Sequence, residues 1–169
     1  MTPNTLLWPI LLPAIAAVLC LAVPKGVKLV REAIALIASA GVLYLAIKLF
    51  GVKTLELRLP WLGNGADFEL RLFHFSSFIL LALGGFLILI VLYSTARMKD
   101  HPRVREYYVY LLLTAALANG AVLADNFIPL VFFWEGLLIT LYLLISIGGA
   151  FSHRTAVKAF IISGLCDFC

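Results

Sequence analysis

Charge is scarce in this chain. It carries 13 Lys or Arg and 9 Asp or Glu over 169 residues, a charged share of 13%, against about 25% in an ordinary soluble domain. Cysteine is scarce too: Cys20, Cys166 and Cys169 are too few and too unevenly spaced for a disulfide scaffold. Cys166 and Cys169 formally spell C-x-x-C, but they lie in an apolar run with no second ligand pair, so all three are expected to be buried apolar thiols. The sequence has no Gly-rich phosphate loop, no nucleophile elbow and no His/Glu zinc spacing. It offers no ligand set for a flavin, haem, iron–sulfur cluster or other metal, so no cofactor is expected. No basic cluster is interleaved with exposed aromatics, and the net charge of +4 does not point to nucleic acid.

What is present is apolar. The chain is 63% hydrophobic, with a mean hydropathy of +1.07, the composition of a polytopic membrane protein whose first partner is the lipid bilayer. Six apolar runs are legible: Leu6–Val23, Leu29–Phe50, Phe73–Thr95, Tyr107–Leu123, Phe127–Ile147, and one from about Thr155 still running at Cys169. The predicted fold is therefore an all-α membrane bundle of about six transmembrane helices. The first run holds Pro9 and Pro13 and is expected to kink, and the residues before it lack the basic start of a cleaved signal. The last run is shorter than the roughly 20 residues a span requires. The expectation is one transmembrane domain over residues 1–169, forming the N-terminal part of a larger subunit.

Between the second and third runs the period changes from 3.6 to 2. Leu55, Leu57 and Leu59 alternate with Glu56 and Arg58, and Phe68, Leu70 and Leu72 alternate with Glu69 and Arg71. The turn formers Pro60 to Gly65 lie between them, so residues 54–72 are predicted to form an amphipathic β-hairpin. The loops orient the bundle. Lys25, Lys28, Arg31, Arg97, Lys99, Arg103, Arg105, Arg154 and Lys158 fall on one side, against Lys48, Lys53, Arg58 and Arg71 on the other. The positive-inside rule then places the N-terminus and the hairpin outside, and the basic loops in the cytoplasm of what is expected to be a prokaryotic cell.

Glu135 is the residue that asks for a function. It lies about 12 Å from one end of the fifth run and about 18 Å from the other, at 1.5 Å per residue. A carboxylate there costs about 2.5–3.5 kcal/mol on insertion scales. Such residues mark ion or proton paths; the plain alternative is a polar contact between helices. Steps of 3, 4 and 7 put Glu135, Ile139, Tyr142 and Ser146 on one stripe, suited to a hydrogen-bonded wire or to helix–helix adhesion. Trp134 reads as packing. On the sixth run Lys158 and Asp167 are nine residues apart and so on opposite faces. Lys158 can snorkel, whereas Asp167 lies about 20 Å beyond Arg154, within a turn or so of the depth of Glu135. His74 reads as an interfacial structural residue, and Asp125-Asn126 as a turn and N-cap.

In order along the chain, Leu59-Pro60-Trp61-Leu62-Gly63, Tyr93-Ser94 with Met98, Asp125-Asn126, Phe133-Trp134-Glu135, Tyr142-Leu143-Leu144-Ile145 and Lys158-Ala159-Phe160 with Asp167 form a series. It resembles the antiporter-like membrane subunits of respiratory complex I, of hydrogenase-4 and formate hydrogenlyase complexes, and of Mrp-type cation/proton antiporters. The resemblance runs from about Leu59 to the end. It implies a bundle of about fourteen helices with two inverted five-helix repeats. It implies that Glu135 is a proton-channel residue acting on a Lys of the seventh helix, beyond this chain, and that Asp167 takes part in coupling. Lys158 matches the sixth-helix position. The implied function is proton translocation in a complex-I-like or hydrogenase-type machine, with redox chemistry and other membrane subunits supplied elsewhere. The alternatives are a Na+/H+ antiporter subunit and a non-conducting structural fragment.

Overall fold

The computed structural model describes residues 3–24, 27–52, 54–60, 67–98 and 101–168. A 3-10 turn, Pro3–Leu7, leads into α1 (Trp8–Ala22) and α2 (Lys28–Phe50). The strands β1 (Leu55–Pro60) and β2 (Asp67–Leu72) follow, then α3 (His74–Arg97), α4 (Val104–Leu123), α5 (Phe127–Ser146) and α6 (Ala150–Phe168). Asn4–Ala22 and helices α2 to α5 are long and apolar enough to cross a membrane. The expected helical bundle with one hairpin between α2 and α3 is what forms. The predicted turn residues Trp61 to Gly65, and Lys25, Lys53, Lys99 and Cys169, lie outside the described residues.

Two helices start earlier than their apolar runs suggest. α4 begins at Val104, not Tyr107, and α6 at Ala150, not about Thr155. Hydropathy marks the stretch suited to hydrocarbon, whereas a helix continues through polar residues until its backbone is stopped. Before α6 the stop is Gly149, at φ 107°, a left-handed conformation that glycine adopts without strain.

α4 packs along α1 and α5 and also touches α3, while α2 packs on α3 and α1. One core cluster joins Ala16, Ala17 and Cys20 of α1, Ala35, Ala38 and Val42 of α2, Leu87 and Val91 of α3, and Tyr108 and Leu112 of α4. The small residues on α1 and α2 let the backbones come close, which is how helices gain dispersion contacts in lipid. Gly120 does the same between α4 and α5: a Cβ there would run into the Phe133 ring. Tyr107 and Ser94 share a hydroxyl–hydroxyl hydrogen bond of 2.7 Å, tying α3 to α4.

Proline governs the α1–α4 contact. Pro13 sits inside α1 and has no N–H to offer the carbonyl four residues back, that of Pro9. In hydrocarbon a bare carbonyl is costly. Asn119 of α4, 1% exposed, donates its amide to Pro9 O at 2.8 Å.

A second cluster seats the hairpin. Leu57, Leu70 and Leu72 are buried with Leu6, Leu49, Leu80, Leu123 and Phe133, as the period-2 alternation predicts for them, whereas Leu59 near the strand end is 39% exposed. The outer face pairs Arg58 with Glu69 at 3.1 Å and Arg71 with Glu56 at 3.5 Å, matching the register in which these residues stand opposite each other. The hairpin also grips the α4–α5 turn. Asp125 N–H donates to Glu69 O at 3.0 Å, Asn126 Nδ2 donates to Asp67 O at 2.6 Å, and Arg71 lies 3.5 Å from the Asp125 carboxylate. Asn126 does hold the N-cap position of α5, but its side chain makes no cap hydrogen bond; the hairpin claims the amide instead.

We expect Asn119→Leu to destabilise the bundle by about 1–3 kcal/mol, the cost of an orphaned buried carbonyl. In a Pro13→Ala background, where the helix regains its own donor, the same change should cost markedly less. Thermal unfolding in detergent of the four members of this cycle measures the coupling. Equal losses in both backgrounds would show that Asn119 does not serve the Pro9 carbonyl.

Candidate functional site

α5 buries one face and shows another. Pro129, Phe133, Leu138 and Thr140 turn inward. Phe133 wedges against Gly120 and meets Phe68 of the hairpin edge-on, with ring centres 5.7 Å apart. This fixes the rotation of the helix and so the direction of its neighbours. Trp134 and Glu135 both emerge on the surface of the chain.

Glu135 opens into a groove of about 670 Å³, lined by Phe127, Leu130, Val131 and Trp134 of α5 and by Asp167 of α6. The two carboxylates expected at similar depth therefore share one groove. A second groove, of about 420 Å³, runs on the other side of Trp134 and Asp167 and includes Leu138, Ser163 and Cys166. Between the two lies a bridge: Trp134 Nε1 donates to Asp167 Oδ1 at 3.1 Å. Trp134, expected to be packing, is 51% exposed and serves as the partner of Asp167. The signal available in the sequence was an indole donor at the level of an intramembrane carboxylate on the next helix.

The rest of the α5 stripe is engaged locally. Tyr142 OH lies 3.4 Å from His153 Nδ1 of α6, and its ring meets Phe160 with centres 5.7 Å apart. Ser146 Oγ donates to Leu143 O at 2.8 Å. Among the described residues no hydrogen bond links Glu135, Tyr142 and Ser146 to one another. Lys158 is exposed on α6 and makes no ion pair among the described residues. His74 opens α3 and lies against Phe50, with ring centres 5.8 Å apart. Cys20 is a buried free thiol, as expected, but Cys166 is exposed, because among the described residues α6 packs chiefly on α5. Among the described residues no cluster of His, Cys, Asp and Glu could hold a metal ion.

No protein-family model matches the chain. Over 96 residues, 56% of its length, it is 36% identical to the Na+/H+ antiporter subunit A1 of Staphylococcus haemolyticus. The chain is homologous to this antiporter subunit. The A1 subunit of Staphylococcus aureus strain JH9 is 35% identical over 95 residues. The chain spans 12% of the length of these antiporter relatives. Among solved structures, its fold matches a chain of the membrane-bound sulfane sulfur reductase, an archaeal respiratory membrane complex. The TM-score is 0.72 at 24% identity, covering 96% of this chain and 25% of that one. The chain thus shares its fold with part of a chain of that respiratory membrane complex.

The indole–carboxylate bond has a spectroscopic consequence. With Trp8 and Trp61 replaced by Phe, Trp134 emission should shift in Asp167→Leu, which removes the acceptor of the indole N–H, and stay as in the parent in Glu135→Gln. Unchanged emission in Asp167→Leu would mean that the indole does not bond that carboxylate.

Proposed function

We propose that this chain belongs to a proton-translocating subunit of a complex-I-like or membrane-bound-hydrogenase-type oxidoreductase, and that Glu135 and Asp167 carry protons within it. The observation that supports this reading is the shared groove: two carboxylates from adjacent helices opening into one space alongside a spanning segment. Each is a carboxylate that can take a proton and release it, and both line the same groove. Tyr142, Ser146 and Lys158 continue the same two helices toward the basic end and are proposed to extend the path. The hydroxyls relay protons, and the Lys158 ammonium biases their direction by its charge.

The second reading is a Na+/H+ antiporter subunit, favoured by the 36% identity to subunit A1. Carboxylate oxygens suit Na+ as well as H+. The two readings separate on the driving force. A redox-coupled pump acidifies everted vesicles when its electron donor is added, whereas an antiporter dissipates a pH gradient when Na+ is added.

Glu135→Gln in the parent complex keeps size and most hydrogen-bonding capacity but removes titration. Translocation should fall about tenfold or more, as for loss of a proton-transfer group, with the amount of assembled complex unchanged. Normal translocation with Gln would return Glu135 to a structural role. Asp167→Asn should follow the same pattern.

The proposed orientation puts the N-terminus and hairpin outside and the basic end in the cytoplasm, by the asymmetry of Lys and Arg. A cysteine placed in the hairpin should react with a membrane-impermeant thiol reagent in intact cells, and one placed at Arg103 should not. The reverse labelling pattern would overturn the orientation.

A further inference from the structure

Asp167 has a single hydrogen-bond partner among the described residues, and the chemistry of that partner bears on how the carboxyl works. Trp134 Nε1 donates to Asp167 Oδ1 at 3.1 Å, within the ordinary range for N–H···O. Oδ2 has no hydrogen bond among the described residues. The indole is held from behind. Phe133, the residue before it, is 5% exposed and set against Gly120 and Phe68, which fixes the rotation of α5. Asp167 is carried by α6, which packs on α5. Trp134 and Asp167 line both the groove that contains Glu135 and the groove that contains Ser163 and Cys166. The bonded pair therefore stands where the two grooves adjoin. Lys158, nine residues before Asp167, lies on the opposite face of α6.

An indole N–H donates and cannot accept. Hydroxyls, imidazoles and waters both donate and accept, so they pass protons on. Trp134 does not, and no proton reaches or leaves Asp167 through this bond. The bond also makes the two carboxyl oxygens unequal. In a carboxylic acid the carbonyl oxygen is the better acceptor and the hydroxyl oxygen the poorer one. An N–H fixed on Oδ1 therefore favours Oδ1 as the carbonyl and Oδ2 as the hydroxyl. In the ionised form Oδ1 keeps the same bond, now charge-assisted. The contact persists in both protonation states, so the carboxyl is held in place while its proton comes and goes.

We infer that Trp134 is a positioning residue for proton transfer at Asp167, reserving Oδ2 as the atom that takes and releases the proton. The inference rests on the reading of Asp167 as a proton carrier. In the step, a proton from a hydronium ion or from the acid form of Glu135 adds to a lone pair of Oδ2, and the donor keeps the electron pair of the bond that breaks. The proton leaves through the same oxygen, and the indole N–H bond is neither made nor broken.

The test is infrared spectroscopy of the full chain in lipid vesicles, read as the difference between acid and alkaline spectra. The carbonyl band of protonated Asp167 is the one missing from Asp167→Asn. An indole donor on Oδ1 lowers its frequency, so Trp134→Phe should move the band up. Benzothienylalanine at position 134 keeps the bicyclic shape with sulfur in place of N–H, and should move it up as well. Glu135→Gln should leave it in place. An Asp167 band at one frequency in the parent and both Trp134 variants, with the amide bands showing intact helices, would overturn the inference. Proton translocation by the parent complex supplies the second arm. Asp167→Asn should lose about tenfold or more, Trp134→Phe should lose less, and the double variant should lose no more than Asp167→Asn. Full translocation in Trp134→Phe beside a loss in Asp167→Asn would overturn the positioning role alone. Normal translocation in Asp167→Asn would overturn the proton-carrier reading, and the inference with it.

Discussion

In a hydrocarbon solvent every backbone polar group needs a partner within the protein, and one such debt organises this bundle. Pro13 strips the carbonyl of Pro9 of its helical donor, and the Asn119 side chain replaces it. That bond sets the register of α1 on α4. The next residue, Gly120, sets the other side of α4, because its missing side chain admits the Phe133 ring of α5. Phe133 in turn fixes which way Trp134 and Glu135 point. The direction of the carboxylate therefore traces back, through contacts between neighbouring residues, to a proline near the start of the chain.

The two ends of the bundle are electrostatically unlike. At the hairpin end each cation of the sheet stands opposite an acid, in pairs of exposed groups worth little individually but arranged to agree with the strand register. At the other end Arg103 pairs with Glu106 of its own helix and donates to the Ser146 carbonyl, so one charged pair ties α4 to α5.

The spans and the hairpin were legible in the sequence because each rests on a local period: long apolar runs for α1 to α5, and alternation with turn formers for β1 and β2. The shared depth of Glu135 and Asp167 was legible as well, since depth follows from counting residues along two adjacent helices. Partners across large sequence distances were not. Trp134 and Asp167 are 33 residues apart, and Asn119 and Pro9 are 110 apart. The latter left a trace that could have been followed, because a proline in a helix announces a free carbonyl four residues earlier, and Asn119 is an amide in an otherwise apolar stretch. The contacts of Arg103 with Glu106 and with the end of α5 were visible only as a charged loop, because hydropathy and charge counts say which side a residue is on and not which others it meets. The start of α6 was misplaced for a related reason, since polarity ends a membrane run without ending a helix.

The hairpin's grip on the α4–α5 turn has a consequence for synthesis. Asp67 receives its hydrogen bond from Asn126, 59 residues later. When β1 and β2 leave the ribosome, the turn that holds them does not yet exist. The strands can pair with each other and meet Leu6 and Leu49, but the dock is incomplete until two further helices have been inserted and have delivered Ala124 to Asn126 to the same end. Docking is therefore a checkpoint on insertion. It closes when α3 and α4 have both crossed with the correct polarity, and a nascent chain that misplaces either helix leaves the side of the hairpin owed to Leu80, Leu123 and Phe133 uncovered, where quality-control factors can recognise it.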